Sequence, residues 1–296
     1  MSGLEIDCVQ DARAEVGEGI IWDQDHRALF WVDITLGRLW RLDPLTGATR
    51  SWELGEPLGC MAIMADGKAI LALKSGFWTL DLESGKKEKL RLLESDRPGN
   101  RPNDGTTDRD GRFWVGTMKM GQPPERTGAF YRLDGDMSCR RILDRWFTTN
   151  GLAFSPDGRT MYCSDSNPQV RTIWAFDYDR QTGEPTNQRL FFDTRAVAGR
   201  PDGGTVDAEG HYWMAGVGGW QLVRLDPMGR VDRVVDMPIE RPSRPAFGGA
   251  GLDELFVTSL GVGLTPGREA EQPQAGSVFR LRGLGVKGLP APRFAG

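Results

Sequence analysis

The sequence predicts an all-β fold, a six-bladed β-propeller with four antiparallel strands in each blade. Three observations predict it: an internal repeat, turn residues at fixed places within the repeat, and few signs of helix. A strand, a tight turn at Asp-Gly and a second strand recur, as in "MADGKAILAL", "DRDGRFWVGT", "SPDGRTMYCSD" and "DAEGHYWMAG". Six returns at roughly 40–50 residues match the period of propeller blades.

A second hairpin follows each of these units, with phrases such as "FWTLDLESG", "FYRLDGD" and "LVRLDPMG". Apolar and polar residues alternate around Gly-rich turns, which is typical of strands and hairpins. No segment shows a sustained helical stripe with caps, so helix is expected to be minor. The whole chain, residues 1–296, is predicted to form one propeller domain. The strand around Glu5–Cys8 is expected to pair with the last blade and close the ring, and residues 263–277 to form a surface loop.

The composition disfavours some binding partners and predicts the location of the protein and the state of its cysteines. The chain has a net charge of −4 and no basic run, which disfavours nucleic acid and anionic membranes. No stretch approaches ~18 apolar residues, and the start of the chain has no apolar core of a signal peptide, so a cytoplasmic location is predicted. The four cysteines form no C-x-x-C pair and are expected to be free thiols in a reducing compartment.

One register position of the repeat carries a carboxylate or amide side chain in four of the six units. Counting eight residues back from the turn position of each first hairpin gives Glu18, Asn103, Asn150 and Asp202, and Gly59 and Ser243 in the other two units. The first strand of each propeller blade lines the central channel, so equivalent positions lie at one height and face each other. We therefore expect the four polar side chains to converge at one end of the channel.

Two carboxylates and two amide carbonyls at one place favour a bound cation, because neighbouring like charges otherwise raise a carboxylate's pKa. Oxygen donors suit a hard divalent ion such as Ca²⁺, Mg²⁺ or Mn²⁺, and Zn²⁺ accepts them as well. A site with three or four protein ligands leaves positions for water and substrate. Each of these Asn-Gly and Asp-Gly sequences alone is typical of a turn, but their shared register favours a site.

Other catalytic chemistries find little support. His26 and His211 are the only histidines, and both are expected to be solvated residues beside turns. A three-histidine zinc site is therefore excluded, and a Ser-His-Asp triad is disfavoured. No G-x-S-x-G, Walker or dinucleotide-binding motif stands in the required setting. Arg101 differs from other loop arginines because it lies two residues before Asn103, near the expected mouth of the channel.

At these residues the chain resembles the family of regucalcin (senescence marker protein), gluconolactonases and related sugar lactonases. The matching motifs occur in order over essentially the whole chain: "GEGIIWD", "NRPNDG", "GRFWVGTM", "TNGLAFSPDG", "SDS", "PDGGTVDAEG", "FGG" and the tail "GLGVKGLPAPRFAG". The resemblance implies six blades, a metal held by Glu18, Asn150 and Asp202, and substrate contacts from Arg101 and Asn103. The chain departs from animal members at "KMGQ" (residues 119–122), which follows "GTM" and leaves the identity of the sugar open.

The ring and the resemblance together predict a metal-dependent hydrolase that opens a sugar lactone, such as glucono-, xylono- or arabinonolactone, to the aldonic acid. One divalent ion (Ca²⁺, Zn²⁺, Mn²⁺ or Mg²⁺) would polarise the carbonyl and activate water. Asp202 is predicted to be the general base as well as a metal ligand, while Arg101 and Asn103 hold the sugar's hydroxyls.

Three alternatives stay open at this point, and oligomeric state is left open with them. The first is a phosphotriesterase or arylesterase that uses the same metal on a more apolar substrate. The second is a calcium-binding regulatory propeller without turnover. The third is an interaction scaffold like a WD-repeat propeller, against which the acidic ring and the absence of a shared Trp-Asp signature argue.

Overall fold

Six antiparallel sheets of four strands form a ring in the computed structural model, which describes residues 3–296. The strands of the first five blades follow chain order from the channel outward: β2–β5 (Gly17–Asp23, Ala28–Asp33, Arg38–Leu42, Thr49–Glu53), β6–β9 (Leu58–Ile63, Ala69–Leu73, Gly76–Leu80, Lys87–Arg91), β10–β13 (Asn100–Thr107, Phe113–Lys119, Gly128–Leu133, Cys139–Trp146), β14–β17 (Thr149–Phe154, Thr160–Asp165, Thr172–Asp179, Glu184–Asp193) and β18–β21 (Arg200–Val206, Tyr212–Val217, Gln221–Leu225, Val231–Asp236). The six-bladed prediction is confirmed.

The sixth blade closes the ring as predicted. It contains β22 (Pro242–Gly248), β23 (Glu254–Ser259), β24 (Val278–Arg282) and, from the start of the chain, β1 (Glu5–Gln10) as its outer strand. β1 pairs antiparallel with β24, so the outer edge of the sixth blade is occupied as in the other blades. Residues 263–277 lie in the connection between β23 and β24, which spans residues 260–277 and contains a 3₁₀ turn at Glu269–Glu271.

The repeated Asp-x-x-Gly-x-x-Trp phrase is explained by turn geometry and packing. The Asp108 carboxylate accepts hydrogen bonds from the backbone N–H groups of Asp110 and Arg112, both at 2.9 Å, and Gly111 takes a positive φ of 83°. Trp114 is fully buried, and its Nε1 donates to the Tyr178 hydroxyl at 3.1 Å. In the third blade this phrase therefore stabilises the hairpin and its packing, and by itself says nothing of function.

The same construction recurs in the fifth blade with a direct contact. Asp207 again accepts backbone hydrogen bonds across its turn, and Trp213 Nε1 donates to Asp207 Oδ2 at 2.9 Å. Apolar side chains fill the spaces between adjacent blades, so the core is divided among the blade interfaces. Among residues 3–296, no helix is long and apolar enough to cross a membrane.

The innermost strand of every blade is bulged at the same level of the channel. The pairing of each inner strand with its neighbour is interrupted between Glu18 and Ile21, Leu58 and Cys60, Pro102 and Gly105, Asn150 and Ala153, Pro201 and Gly204, and Pro242 and Pro245. A bulge frees residues from the regular ladder and redirects their side chains. The polar ring predicted from the sequence lies at this level.

Arg244 crosses the channel beneath that level. Its Nη1 donates to Asp104 Oδ1 of the third blade, and its Nη2 lies 3.4 Å from the Leu152 carbonyl oxygen of the fourth. Beyond it, a small cavity of about 80 Å³ is covered by residues 289–292 of the C-terminal segment. The channel is therefore blocked by Arg244 and covered at one end, so the opposite end is the accessible one.

Candidate active site

An open cavity of about 490 Å³ lies at the end of the channel where the inner strands begin. Glu18, Asn103, Asn150 and Asp202 all line it, and each of these side chains is at most 8% exposed. Arg101, which is half-buried, also lines the cavity. The structure thus brings together all five residues singled out in the sequence.

Three of the ring residues are joined in a chain of hydrogen bonds. Asn103 Nδ2 donates to the Thr149 carbonyl oxygen at 2.8 Å and to Asn150 Oδ1 at 3.2 Å, while Asn150 Nδ2 donates to Asp202 Oδ1 at 2.7 Å. Arg101 Nη1 donates to Asn103 Oδ1 at 2.7 Å. The contacts of Asn103 with Asn150 and of Asn150 with Asp202 join three blades, so these side chains hold one another in place across the channel.

Ser166 is a site residue that the sequence reasoning did not single out individually. Its hydroxyl donates to the Pro201 carbonyl oxygen and accepts a hydrogen bond from Asn150 Nδ2 at 2.7 Å. Because the amide nitrogen of Asn150 is engaged by Ser166 and Asp202, the orientation of that amide is set. The available signal was the "SDS" motif at residues 164–166, which belongs to the family resemblance.

Two buried carboxylates at this level have few hydrogen-bond donors. Among the described residues, Glu18 accepts one hydrogen bond, from the Gly19 N–H at 3.0 Å, and Asp202 accepts one, from Asn150. Burial raises the pKa of Glu18 to about 7, although Arg244 and Arg101 oppose this shift. Burial also raises the pKa of Asp202, and the negative charge of Glu18 raises it further. A cation between them would relieve both effects.

The donor set fits a hard divalent ion. Glu18 and Asp202 supply carboxylate oxygens and Asn103 and Asn150 supply amide oxygens, without sulfur or imidazole. Gly19 and Gly151, which directly follow Glu18 and Asn150, have positive φ values of 55° and 62°. A side chain at either position would be strained, so these glycines allow the sharp change of direction beside the ring.

The two gaps in the ring have physical explanations. A Cβ built on Gly59 would lie 2.4 Å from the carbonyl carbon of Pro102, so the second blade has no room for a side chain there. Ser243 is fully buried and its hydroxyl donates to the Gly17 carbonyl oxygen, so it joins the sixth blade to the first. Neither residue lines the cavity.

Gly59→Ala is expected to destabilise the protein by about 1–3 kcal/mol, because the new methyl group would overlap the backbone of the neighbouring blade. Denaturant unfolding measures this change in the free energy of unfolding. Gly99→Ala is the matched control, since a Cβ there meets no atom within 4 Å, and it should change stability by less than about 0.5 kcal/mol. Equal stability of the two variants would contradict the overlap.

A second group of potential ligands lies outside the cavity, at Asp207, Glu209 and His211. Arg224 already occupies it, because its Nε donates to Asp207 Oδ2 at 2.8 Å and its Nη2 to Glu209 Oε2 at 2.6 Å. The guanidinium neutralises these carboxylates, so the group is an ion-pair network of the fifth blade. His211 is half-buried rather than solvated, as is His26, whose Nδ1 lies 2.6 Å from the Asp23 carboxylate.

The fold and the site define a six-bladed propeller with an oxygen-lined pocket at one end of its channel. A family model described as "SMP-30/Gluconolactonase/LRE-like region" matches residues 16–261, and the chain belongs to this family. It is 35% identical to regucalcin of Xenopus laevis over the full length of both chains. It is 37% identical to 6-deoxy-6-sulfogluconolactonase of Pseudomonas putida, with 98% of each chain covered.

A solved structure of a relative agrees with the fold. The calcium-binding protein regucalcin of Agrobacterium tumefaciens superposes with a TM-score of 0.91 at 30% sequence identity, covering 97% of this chain and 96% of that one. The family resemblance seen in the sequence motifs is thereby confirmed.

Proposed function

We propose that this protein is a divalent-metal-dependent lactonase that hydrolyses a sugar lactone to the aldonic acid. One observation carries the proposal: Glu18, Asn150 and Asp202 meet Arg101 and Asn103 in a single cavity of a gluconolactonase-family propeller. The names of the relatives support it, since one is a sulfogluconolactonase and another is a calcium-binding protein.

Glu18, Asn150 and Asp202 would hold the ion, because two buried carboxylates and a neighbouring amide provide charge and oxygen donors together. A divalent ion bound there supplies Lewis acidity that polarises the lactone carbonyl. Ser166 contributes indirectly, since its hydrogen bond with Asn150 Nδ2 restricts rotation of that amide.

Asp202 is proposed to act as the general base. Its carboxylate accepts a proton from the water whose oxygen bonds to the carbonyl carbon, and returns a proton to the ring oxygen when the ester C–O bond breaks. The products are a free hydroxyl and a carboxylic acid, which ionises near neutral pH. Asp202 Oδ1 is held by Asn150 at 2.7 Å, which orients the carboxylate.

Arg101 and Asn103 are proposed to position the sugar. Arg101 is held by hydrogen bonds from its Nη1 to Asn103 Oδ1 and to the Pro102 carbonyl oxygen, which leaves its other N–H groups for hydroxyl oxygens. Holding the sugar ring in one orientation places the carbonyl carbon near Asp202. This positioning increases the rate of hydrolysis, because the reacting groups are already aligned when the substrate is bound.

The test is a proton-release assay on a panel of lactones, aryl esters and phosphotriesters. Protein stripped with chelator should show no turnover, and reloading with Ca²⁺, Mg²⁺, Mn²⁺ or Zn²⁺ should restore hydrolysis of lactones above that of aryl esters. Unchanged lactone turnover in excess chelator would contradict metal dependence. Preferred turnover of aryl esters or phosphotriesters would point to the esterase alternative, and tight metal binding without any turnover to a regulatory propeller.

A further inference from the structure

Arginine occupies the same register position in three blades. Arg101, Arg200 and Arg241 each precede a proline and lie two residues before the ring position of the third, fifth and sixth blades. Arg101 and Arg200 lie on the inner strands and Arg241 directly precedes one, so each arginine lies on the side of the ring towards the mouth. All three line the 490 Å³ cavity.

Arg200 and Arg241 form no close ion pair. Both are half-buried, and among residues 3–296 neither has a carboxylate oxygen within 4.0 Å. Arg200 has only a long contact of 3.4 Å from its Nη1 to the Ser166 carbonyl oxygen. Arg241 donates to the Gly263 carbonyl oxygen, and its buried Nε has no hydrogen-bond partner. Lys119 at the same mouth differs, because it is paired with Glu125.

The two arginines enter the cavity from neighbouring blades. Arg200 begins β18 and Arg241 directly precedes β22, and these two inner strands pack against each other. Placing two cations side by side in a partly dehydrated wall costs free energy unless an anion joins them. The pair therefore has the composition of an anion-binding subsite between the fifth and sixth blades.

The charge of the whole cavity leads to the same conclusion. Four cationic side chains line it against three carboxylates, those of Glu18, Asp202 and Glu125. A divalent ion held by the ring adds two positive charges, so the occupied pocket carries an excess of about three. A neutral sugar lactone would leave that excess unmatched.

We propose, building on the proposed function, that the substrate is a sugar lactone with an additional anionic group, bound by Arg200 and Arg241. The group is a carboxylate, a sulfonate or a phosphate ester on the part of the sugar remote from the lactone carbonyl. The planar guanidinium fork matches the oxygen pairs of all three groups, and two forks on adjacent blades would hold the group from both sides. Arg101 is assigned a different role, because its Nη1 already donates a hydrogen bond to Asn103 Oδ1. Its remaining N–H groups are proposed to bind the hydroxyl oxygens of the sugar.

The experiment compares gluconolactone with glucarolactone, 6-phosphogluconolactone and 6-deoxy-6-sulfogluconolactone in the metal-loaded protein. At least one anionic lactone should exceed gluconolactone by about tenfold or more in kcat/KM, and raising the salt concentration should reduce that ratio. The lactone with the highest ratio identifies the anionic group. R200Q and R241Q should each lower the ratio about tenfold, and R200K and R241K should lower it less because they keep the charge but lose the fork.

Arg230→Gln is the matched control, because it removes the same charge from an exposed turn of the fifth blade. It should leave the ratio unchanged. If a glutamine variant does not fold, the corresponding lysine variant carries the test. Gluconolactone hydrolysed as fast as every anionic lactone, with the ratio unaffected in R200Q and R241Q, would overturn the anion subsite and leave the lactonase proposal standing.

A binding measurement tests the anion subsite independently of lactone turnover. Calorimetry with anhydroglucitol and anhydroglucitol 6-sulfate, which are not hydrolysed, should show tighter binding of the sulfate and loss of that preference in R200Q. If no lactone is turned over but this preference is present, the lactonase proposal fails and the anion subsite stands. If no lactone is turned over and the preference is absent, both fail.

Discussion

Asp202→Asn is expected to lower kcat/KM for lactone hydrolysis by at least about 10³-fold while the propeller stays folded. The amide has nearly the same shape, and its oxygen can still accept the 2.7 Å hydrogen bond from Asn150 Nδ2. It cannot accept a proton from water, and it removes one of the two negative charges that would hold the ion. Steady-state kinetics measure the loss, with thermal unfolding as the check on the fold.

Asp236→Asn is the matched control, because Asp236 is exposed at the end of β21 in the same blade. It should retain full activity. Glu18→Gln then separates the two functions assigned to Asp202, since Glu18 is proposed to hold the ion without moving a proton. Excess metal should partly restore activity to Glu18→Gln and not to Asp202→Asn. Retention of more than about a tenth of the activity by Asp202→Asn would contradict its role as the base.

Arg244→Met is expected to destabilise the protein by about 3–5 kcal/mol, the largest effect on folding that we predict. Arg244 is fully surrounded in the channel, and its guanidinium is paired with the buried carboxylate of Asp104. Asp104 also accepts backbone hydrogen bonds from Gly105 at 2.8 Å and Leu152 at 2.9 Å. Removing the arginine leaves a buried negative charge without its counter-ion and unlinks three blades.

A double-mutant cycle tests this pair. Asp104→Asn and Arg244→Met should each be strongly destabilising, and the double variant should be more stable than the sum of the two losses predicts. Denaturant unfolding measures all three. Additive losses would show that the two side chains do not depend on each other. Arg13→Met is the control for the loss of an arginine, because Arg13 is exposed and pairs with the exposed carboxylate of Asp11.

The architecture was predictable because it rests on local rules. The Asp-Gly turns and the alternation of the strands repeat at a constant period, and a blade cannot bury both faces without a neighbour. The same constancy placed Glu18, Asn103, Asn150 and Asp202 in one cavity, because a fixed offset from each turn selects one height in the channel. The bulges that lie at this height were not visible in the pattern.

The sixth blade shows what counting along the chain does not decide. Its first turn closes between the Gly249 carbonyl and the Leu252 N–H, one residue later than in the third and fifth blades. The bulge nevertheless lies between Pro242 and Pro245, as it does between Pro102 and Gly105, so Ser243 keeps the register of Asn103. The Ser243 hydroxyl bonds to the Gly17 carbonyl oxygen of the first blade and does not line the cavity, so register alone does not determine which side chains reach the pocket.

The sequence by itself determined the number of blades, the closure by β1 and the polar character of one level of the channel, because these follow from spacing within each repeat. The tertiary structure decided which side chains meet across blades. Asn150 lies between Ser166 and Asp202, Arg244 reaches Asp104, and Arg200 and Arg241 line one cavity from two different blades. Such contacts depend on side-chain rotation and on the distance between separate sheets, which no local pattern encodes.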